Sequence, residues 1–291
     1  MRIAIWPGAE QPYAEIIEVA RHAADTGWDT VYVADHFMPD GDDMESPMLE
    51  AGSLVAALGA LIPRVRIGTL VYGNTYRHPA VLANMAATVD HISGGRFILG
   101  VGAGWQKTEH REYGIALPSP GPLLDQFEEA LQVITGLLRQ PRTTVDGKYY
   151  QLTDAVSEPK PIQSPLPILI GGKGEKRMLG IVAKYADMWN CWGEPSLIAH
   201  KSAVLDERCA AIGRDPAAID RTAQALVVLD GDLPDTGGRP PVIGGSRAAL
   251  ADAIAEYRAI GLDELIIPDD ALGKGVTRLQ AMDVIRDLVN G

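Results

Sequence analysis

The chain has 291 residues, which suits either two average domains or one large α/β barrel of about 250 residues with insertions. Its 38 acidic and 26 basic side chains give a net charge of −12, which argues against binding nucleic acid or an anionic membrane surface. The two cysteines, Cys191 and Cys209, lie in apolar segments, which excludes a disulfide scaffold or a cysteine-based metal site. The N-terminal apolar run is too short for a signal peptide, and the longest apolar stretch, 54–62, is about half a membrane span. We therefore expect a soluble, cytoplasmic protein.

Short β-branched runs alternate with longer segments of helical periodicity. The predicted strands cover residues 3–6, 30–34, 65–71, 96–101, 167–170, 187–191, 222–229 and 264–268. The predicted helices cover residues 13–26, 50–61, 79–92, 123–138, 175–185, 197–212, 248–260 and 275–288. Two segments interrupt this order: 141–165, where we expect a small hairpin, and the Gly- and Pro-rich loop 230–245.

Repeated strand–helix units predict parallel strands joined by right-handed crossovers, and eight such units close into a (β/α)8 TIM barrel. The competing α/β architecture is an open doubly wound sheet in two domains. No linker divides the chain, so we expect one barrel domain over residues 1–291, with insertion segments at 141–165 and 230–245.

The active site of a TIM barrel lies where the strands end, so the residues that follow each strand are site candidates. Asp35 and His36 follow the second strand, and a histidine there can exchange a proton near neutral pH. The alternative is that His36 only packs or caps locally. Arg77 and His78, after the third strand, are equally compatible with a binding role and with a solvated loop and helix cap.

Two glycine-rich segments follow the fourth and fifth strands, and free N–H groups in such segments can bind anions. The first, 102–105, is not a dinucleotide fingerprint because Trp105 stands where that motif needs its third glycine. The second, 171–174, opens a predicted helix and could instead be a plain glycine turn. Glu109 and His110 could be ordinary solvated helix residues, and for His110 we favour that interpretation.

The remaining rim residues and the missing motifs limit the kinds of reaction that the site could catalyse. The aromatic residues of 189–192 could wall a planar ligand or pack the barrel. The sequence has no zinc-site spacing and no G-x-S-x-G motif, so hydrolysis by a metal or a serine is poorly supported. We therefore expect no metal, and a rim suited to a planar cofactor that carries a phosphate.

Seven stretches together resemble the bacterial-luciferase-like superfamily, in particular its oxidoreductases that depend on the deazaflavin coenzyme F420. They are ADHF (34–37), IGTLV (67–71), RHPA (77–80), GGRFILGVGAGW (94–105), IGGKGE (170–175), YADMWN (185–190) and GLDELIIP (261–268). They occur in the family's order and cover nearly the whole chain.

The resemblance implies roles for the matched residues. Asp35 would hold the hydroxylated ring of the cofactor, and His36 would be the catalytic acid, base or charge stabiliser. Leu70 and Val71 match a place where the family often has a cis peptide that supports the ring. The implied cofactor-binding set is Asp35, Leu70, Val71, Gly102, Ala103, Gly104, Trp105, Glu109, Gly171, Gly172, Lys173 and Gly174. Within it, the N–H groups of 103–104 and 171–172 would bind the phosphate, and Lys173 or Arg177 would meet the acidic tail.

One departure from the family bears on the reaction. In its sugar-phosphate and alcohol dehydrogenases a glutamate follows the glycine matched by Gly104, whereas this chain has Trp105. The chain also lacks a basic set suited to a substrate phosphate. The resemblance thus implies hydride transfer between F420 and an unidentified small organic substrate. The alternatives are an FMN-dependent monooxygenase of the same superfamily and a non-catalytic protein that binds the cofactor or another ligand. We also expect a homodimer, because the apolar helix 50–61 has little polar surface.

Overall fold

The computed structural model describes residues 1–39, 45–237 and 240–291. The strands are β1 (Arg2–Trp6), β2 (Thr30–Val33), β3 (Arg66–Thr69), β4 (Tyr72–Gly73), β5 (Phe97–Gly102), β6 (Thr143–Asp146), β7 (Gln151–Ala155), β8 (Ile168–Gly171), β9 (Met188–Trp192), β10 (Asp220–Gln224), β11 (Leu226–Val228), β12 (Val242–Gly244) and β13 (Glu264–Pro268). The helices are α1 (Tyr13–Thr26), α2 (Ala51–Leu61), α3 (Pro79–Ser93), α4 (Lys107–Glu112), α5 (Pro120–Arg139), α6 (Met178–Tyr185), α7 (Pro195–Ala211), α8 (Arg247–Ala259) and α9 (Val276–Asn290).

The main sheet is parallel and closed. Its order is β3-β2-β1-β13-β10-β9-β8-β5-β4, and β3 also pairs with β5. Because β4 continues the path of β3 after two intervening residues, the ring has eight strand positions. The predicted (β/α)8 TIM barrel is therefore confirmed, and the alternative of an open doubly wound sheet is wrong.

The barrel closes between β3 and β5, where Thr69 meets Gly100. The Thr69 hydroxyl donates to the carbonyl oxygen of Gly100 at 2.9 Å and accepts from its N–H at 3.1 Å. A Cβ atom on Gly100 would overlap the carbonyl oxygen of Thr69. The close approach of the two strands therefore requires glycine at this position.

Side chains alternate between the inside of the barrel and the layer beneath the helices. The inner cluster consists of Ala4, Tyr32, Leu70, Ile98, Leu169, Met188 and Ile266. Tyr32 fits inside because Gly68 faces it: a Cβ on Gly68 would lie 2.5 Å from Cε1 of Tyr32. The larger apolar cluster lies between the strands and the surrounding helices.

A buried carboxylate lies near the amino-terminal end of the barrel. Glu264 is fully buried and accepts hydrogen bonds from the Thr30 hydroxyl at 2.6 Å and the Tyr32 hydroxyl at 2.9 Å. Burial raises the pKa of Glu264 above its usual value. These contacts explain Glu264 as a structural residue, away from the rim where chemistry is expected.

The structure departs from the predicted elements most clearly in three places. The seventh strand, predicted as 222–229, leaves the barrel after β10: the N–H of Leu226 donates to the carbonyl of Pro241, and β11 pairs in parallel with β12. Strand β12 lies in 230–245, which was predicted as a loop; residues 238–239 are outside the described part of the chain. Helix α6 begins at Met178 rather than 175, and Glu175, in the turn before it, pairs with Lys201 of α7 at 2.5 Å.

One other expectation is confirmed, and one open alternative is decided. The segment 141–165 holds an antiparallel hairpin of β6 and β7, whose turn donates the N–H groups of Lys148 and Tyr149 to the carboxylate of Glu129 on α5. His78 caps α3, since its Nδ1 accepts from the N–H of Ala80 at 3.2 Å. The cap accounts for His78 without a binding role.

Helix α2 buries most of its apolar surface within this chain. Leu54, Val55 and Leu58 are buried, and α2 packs against α3 and β3. Leu61 remains exposed at the end of the helix. The apolar composition is thus explained without a second subunit, and the homodimer stays a prediction. Among the described helices, none is long and apolar enough to cross a membrane.

Replacing Gly100 tests the barrel closure. Gly100→Ala should lower the free energy of unfolding by about 3 kcal/mol or more, because its methyl group would overlap backbone rather than a movable side chain. Urea denaturation measures the change. Gly180→Ala on α6 is the control: no atom lies within 4 Å of its Cβ, so it should stabilise by about 1 kcal/mol. Equal stability of the two variants would contradict the closure argument.

Candidate active site

A bulge between β3 and β4 shapes the carboxyl end of the barrel. The Leu70–Val71 peptide bond is cis, as expected from the matched stretch. Val71 faces glycines of the neighbouring strands. A Cβ atom added to Gly102 would lie 2.8 Å from Cγ2 of Val71, and one added to Gly171 would lie 3.2 Å from the same atom. The bulge therefore occupies space that side chains of β5 and β8 would otherwise fill.

Beside this bulge is a cavity of about 400 Å³. The predicted site residues that line it are Asp35, His36, Leu70, Val71, Gly102, Ala103, Gly104, Trp105, Gly171, Gly172 and Lys173. Glu109 and Gly174 are not among its lining residues. The sequence thus placed most of the candidate set around one cavity, and Glu109 behind it.

Asp35 is buried, and both of its carboxylate oxygens are occupied. Arg77 donates to them at 2.7 and 2.8 Å, and the N–H of Gly73 donates at 3.0 Å. Arg77 also pairs at 2.5 Å with Glu50, which caps the N-terminus of α2. Burial raises the pKa of Asp35, against the hydrogen bonds from Arg77 and Gly73. Asp35 thus joins β2 to β4 and α2. The contact expected between Asp35 and the hydroxylated ring of a cofactor stays a prediction.

His36 is held by a buried carboxylate. Its Nδ1 lies 2.9 Å from Oε1 of Glu109, which is fully buried on α4. Glu109 also accepts the N–H of Phe37 at 2.9 Å and the hydroxyl of Tyr76. With Nδ1 anchored, Nε2 is the ring nitrogen left for a ligand in the cavity that His36 lines.

Hydrogen bonds keep Glu109 ionised. Burial alone would raise its pKa, but bonds from His36, Tyr76 and the N–H of Phe37 outweigh burial and lower it. The pKa of the Tyr76 hydroxyl is raised by burial and by its bond to Glu109, so Tyr76 remains a neutral donor. The fixed negative charge favours a hydrogen on Nδ1 of His36, which makes Nε2 of the neutral ring a proton acceptor.

His110 is buried, so the prediction of a solvated residue is wrong. Its Nδ1 lies 2.6 Å from the carbonyl oxygen of Gln106, and its Nε2 lies 2.7 Å from the Thr75 hydroxyl. Its ring packs 4.9 Å from that of Tyr76, and Phe37 stacks on Tyr113 at 5.1 Å. These contacts fix α4, and with it Glu109, against the loops after β2 and β4.

Backbone N–H groups at the rim supply uncharged donors. Within the described residues, those of Ala103, Gly104 and Trp105 donate to no protein acceptor. Gly104 has a φ of 96°, and a Cβ there would lie 2.6 Å from the Thr75 hydroxyl oxygen, so glycine is required. The expectation for Gly172 is wrong, because its N–H donates to the carbonyl of Asn190 at 2.9 Å.

Of the two cations predicted for an acidic tail, Lys173 lines the cavity, whereas Arg177 pairs with Asp125 of α5 at 2.6 Å. Lys173 makes no ion pair with the described residues. It also borders a second cavity of about 300 Å³, which Lys201, Glu194 and Trp192 help to line. Lys173 is therefore placed to meet an anionic group where the two cavities adjoin.

Sequence reasoning missed three lining residues: Trp6 and Gln224 on the opposite side of the cavity, and Met178, which packs against Gly172. Trp6 and Gln224 have the same strand parity as the inward-facing Ala4 of β1 and Thr222 of β10, and that parity is the signal that could have found them. The two tryptophans of 189–192 have different roles. Trp189 is fully buried and its indole N–H donates to the carbonyl of Gly172 at 2.6 Å, whereas Trp192 lines the cavity.

Comparisons with known proteins agree with this fold. A family model for luciferase-like monooxygenase matches residues 1–236. An F420-dependent glucose-6-phosphate dehydrogenase from Kineococcus radiotolerans is 30% identical over 75% of this chain and 65% of its own. A pyrimidine monooxygenase from Enterobacter cloacae is 32% identical over 57% of this chain and 47% of its own. The solved structure of an F420-dependent secondary alcohol dehydrogenase with an F420–acetone adduct superposes with a TM-score of 0.87, at 20% identity over 99% of each chain.

The chain belongs to the luciferase-like monooxygenase family. The two relatives are a dehydrogenase and a monooxygenase, and both are redox enzymes.

The Glu50 cap gives a pH-dependent prediction. Burial opposes its ionisation, but N–H groups of Ser53 and Gly52, with Arg77, lower the pKa of Glu50 from 4.5 to about 2. Its ionised form therefore stabilises the fold at neutral pH. Glu50→Gln should lower the free energy of unfolding by about 0.5–2 kcal/mol at pH 7, as loss of a helix cap does.

Because the folded pKa is the lower one, this difference should shrink as pH falls below 4.5 towards 2. Urea denaturation at pH 7, 5, 4 and 3 measures it. Glu18→Gln, at an exposed position of α1, is the control and should change little. A Glu50→Gln effect that is constant from pH 7 to 3 would rule out the assigned ion pair.

Proposed function

We propose that this protein is an F420-dependent oxidoreductase that transfers a hydride between the deazaflavin and an organic substrate. The observation that carries the proposal is His36, held through Nδ1 by the buried Glu109 so that Nε2 is left for the cavity beside the Leu70–Val71 bulge. The bound deazaflavin would supply or accept the hydride, and the chain would supply position and a proton.

The cavity fits such a cofactor in two respects. Gly102 and Gly171 leave room for a flat ring system along Val71, since a side chain on either would fill the space. The N–H groups of Ala103 and Gly104 and the ammonium of Lys173 suit a phosphate and other anionic groups. We propose these residues, with Trp105, as the cofactor-binding set.

In the proposed mechanism His36 moves the proton that accompanies the hydride. Nε2 accepts a proton from a substrate hydroxyl during oxidation and returns it to a carbonyl oxygen during reduction. Glu109 holds the ring orientation and stabilises the imidazolium formed in between, because it is a buried carboxylate on the far nitrogen. Glu109 is therefore a positioning residue that acts through His36.

The departure at Trp105 is consistent with this division of roles. Trp105 is exposed and its ring lies edge-on to His36 at 5.6 Å, so it covers the imidazole and cannot donate a proton to a developing alkoxide as a carboxylic acid would. Glu109, four residues further, is the nearest acidic group on the same segment and contacts His36 directly.

The alternative is an FMN-dependent monooxygenase, which the family name and the absence of an acid at position 105 favour. Both cofactors present a ribityl phosphate to the rim N–H groups, so direct comparison is needed. Titration of the protein with F420 and with FMN, followed by fluorescence, should give an F420 dissociation constant of about 1 µM or lower and weaker FMN binding by at least about tenfold. A preference for FMN would establish the alternative, and binding of neither would refute both.

Variants of the His36–Glu109 pair test the mechanism. In protein loaded with reduced F420, the rate of hydride transfer to benzaldehyde should fall by about 10²–10⁴-fold in His36→Ala, the usual loss for a general acid–base group. Glu109→Gln should cost less, about 10–100-fold, and should shift the pH dependence of the rate. F420 affinity should change little in either variant.

His22→Ala is the matched control, since His22 pairs with Asp283 at 3.0 Å outside the cavity. Its transfer rate should equal that of the unmodified protein. If His36→Ala weakened cofactor binding as much as it slowed transfer, His36 would be a binding residue only. An unchanged pH profile in Glu109→Gln would leave Glu109 a purely structural role.

A further inference from the structure

The second cavity, of about 300 Å³, adjoins the active-site cavity on the side of β9. Lys173 and Trp192 line both cavities, so a ligand bound in the first can extend past them into the second. The rest of its lining includes Leu197 and Lys201 of α7 and Pro241. The proposed function assigns Lys173 to the cofactor and leaves the rest of the second cavity without a role.

Lys201 brings a mostly buried positive charge to the second cavity. Its side chain is 15% exposed, and its ammonium donates one hydrogen bond, to Glu175 at 2.5 Å. Glu175 balances this charge only in part, because its carboxylate is more exposed and also pairs with His200 at 2.9 Å. An ammonium has three donors, so two of those of Lys201 have no acceptor among the described residues. An anionic ligand in the cavity would complete them.

A second ammonium reaches the same region. Lys173, which pairs with no carboxylate of the described residues, lines both cavities. Burial raises the pKa of the Cys191 thiol on β9 to about 12, and the charges of Lys173 and Lys201 both oppose this rise. The two cations therefore converge at the end of β9. No basic set for a substrate anion was evident in the sequence, because the two lysines follow different strands and only the fold brings them together.

The start of α7 and the state of Glu194 leave this positive charge available. The first N–H groups of α7, on Ser196 and Leu197, donate to no protein acceptor among the described residues, and no side chain caps the helix. Such N–H groups add to the attraction for an anion. Glu194 is the acidic residue in the lining, but it is exposed, so water and salt screen its charge more than that of Lys201.

The position of the second cavity favours the substrate as the source of the anion. The proposed phosphate donors, Ala103 and Gly104, follow β5, whereas the second cavity lies beyond β8, at the end of β9. In the proposed function the cofactor ring lies along Val71, and Trp192 borders the space left for a substrate. A substrate packed against this indole therefore has the second cavity next to it.

We propose that the second cavity binds a carboxylate or phosphate group of the substrate, with Lys201 as its main cation and Lys173 beside it. This inference rests on the proposed function. The substrate class is an organic acid or phosphate ester that also carries a carbonyl or the corresponding hydroxyl group. Lys201 is then a specificity-determining residue, because it compensates the cost of taking the anion out of water.

The test compares two aldehydes that differ in charge and little in size, 4-(4-formylphenoxy)butanoate and its primary amide. Their flexible chain allows the charged end to extend past Trp192. Calorimetric titration of protein loaded with oxidised F420, which cannot reduce the aldehyde, should show the carboxylate binding at least about tenfold more tightly than the amide. Lys201→Met should lower carboxylate affinity by about 10–100-fold, as loss of a hydrogen bond to a charged group does, and amide affinity by less than about twofold.

Three further variants make the test specific to charge. Lys201→Arg keeps the charge and should retain most of the carboxylate affinity. Glu194→Gln should raise that affinity, since it removes a negative charge from the lining without removing a helix cap. Lys184→Met is the matched control: Lys184 also pairs with a glutamate, Glu128 at 2.6 Å, but lies outside both cavities, so both affinities should stay unchanged.

Equal or tighter binding of the amide, an equal loss for both aldehydes in Lys201→Met, or no binding of either aldehyde would overturn the proposal. F420 affinity should be unchanged in Lys201→Met, which also shows that the variant folds. A fall in F420 affinity as large as the fall for the carboxylate would assign the second cavity to the acidic tail of the cofactor and overturn the substrate assignment. If F420 itself does not bind, the proposed function fails, and the two aldehydes on the unloaded protein still decide whether Lys201 binds an anion.

Discussion

The close approach of Val71 to the glycines of β5 and β8 is the constraint on which the rest of the site depends. In most TIM barrels, inward side chains fill the interior to the rim in layers. Here Gly102 and Gly171 contribute no side chain to the upper layer, and the Leu70–Val71 bulge takes part of the space they leave. What remains is the cavity, which Val71, Gly102 and Gly171 line together. The segment from Thr69 to Val71 therefore both closes the barrel against Gly100 and shapes the cavity.

Two buried carboxylates at the rim differ in what their surroundings allow them to do. Asp35 is neutralised by Arg77, which carries a full positive charge, so the pair holds three segments together and adds little net charge to the cavity. Among the described residues, Glu109 receives hydrogen bonds from a neutral hydroxyl, a backbone N–H and the imidazole of His36, and no fixed cation neutralises it. A carboxylate paired with arginine ties segments of the chain together, whereas one paired with histidine fixes the orientation and tautomer of that ring. Environment, and not residue type, separates the two roles.

The sequence predicted elements well where the determinants are local. Helix α1 and strand β13 have the predicted bounds, because apolar periodicity and a glycine stop or a β-branched run define them. The sequence-based prediction failed where distant contacts decide: the end of β10 depends on Leu226, whose N–H donates to the carbonyl of Pro241 rather than within the barrel.

The site residues also fall into those that local sequence predicts and those that depend on distant contacts. Residues directly after strands were predicted, because the barrel places them at the rim. Gln224 lies within a strand, and its inward direction becomes evident only once the register of β10 is known. His110 could not be distinguished from a solvated histidine, because its burial depends on Thr75 and Tyr76 from another loop.

The net charge of −12 and the chemistry of the cavity fit together once charge is considered locally. Exposed charges are screened over about 8 Å at physiological salt, so the acidic surface does not decide what binds at the rim. There the donors are uncharged N–H groups and the ammonium of Lys173, while Arg77 and Arg177 are committed to acidic partners. An anionic group is thus favoured at the mouth of the cavity, beside these donors. The same cavity therefore combines donors for an anion at its mouth with a histidine held by a buried carboxylate, although the chain as a whole is acidic.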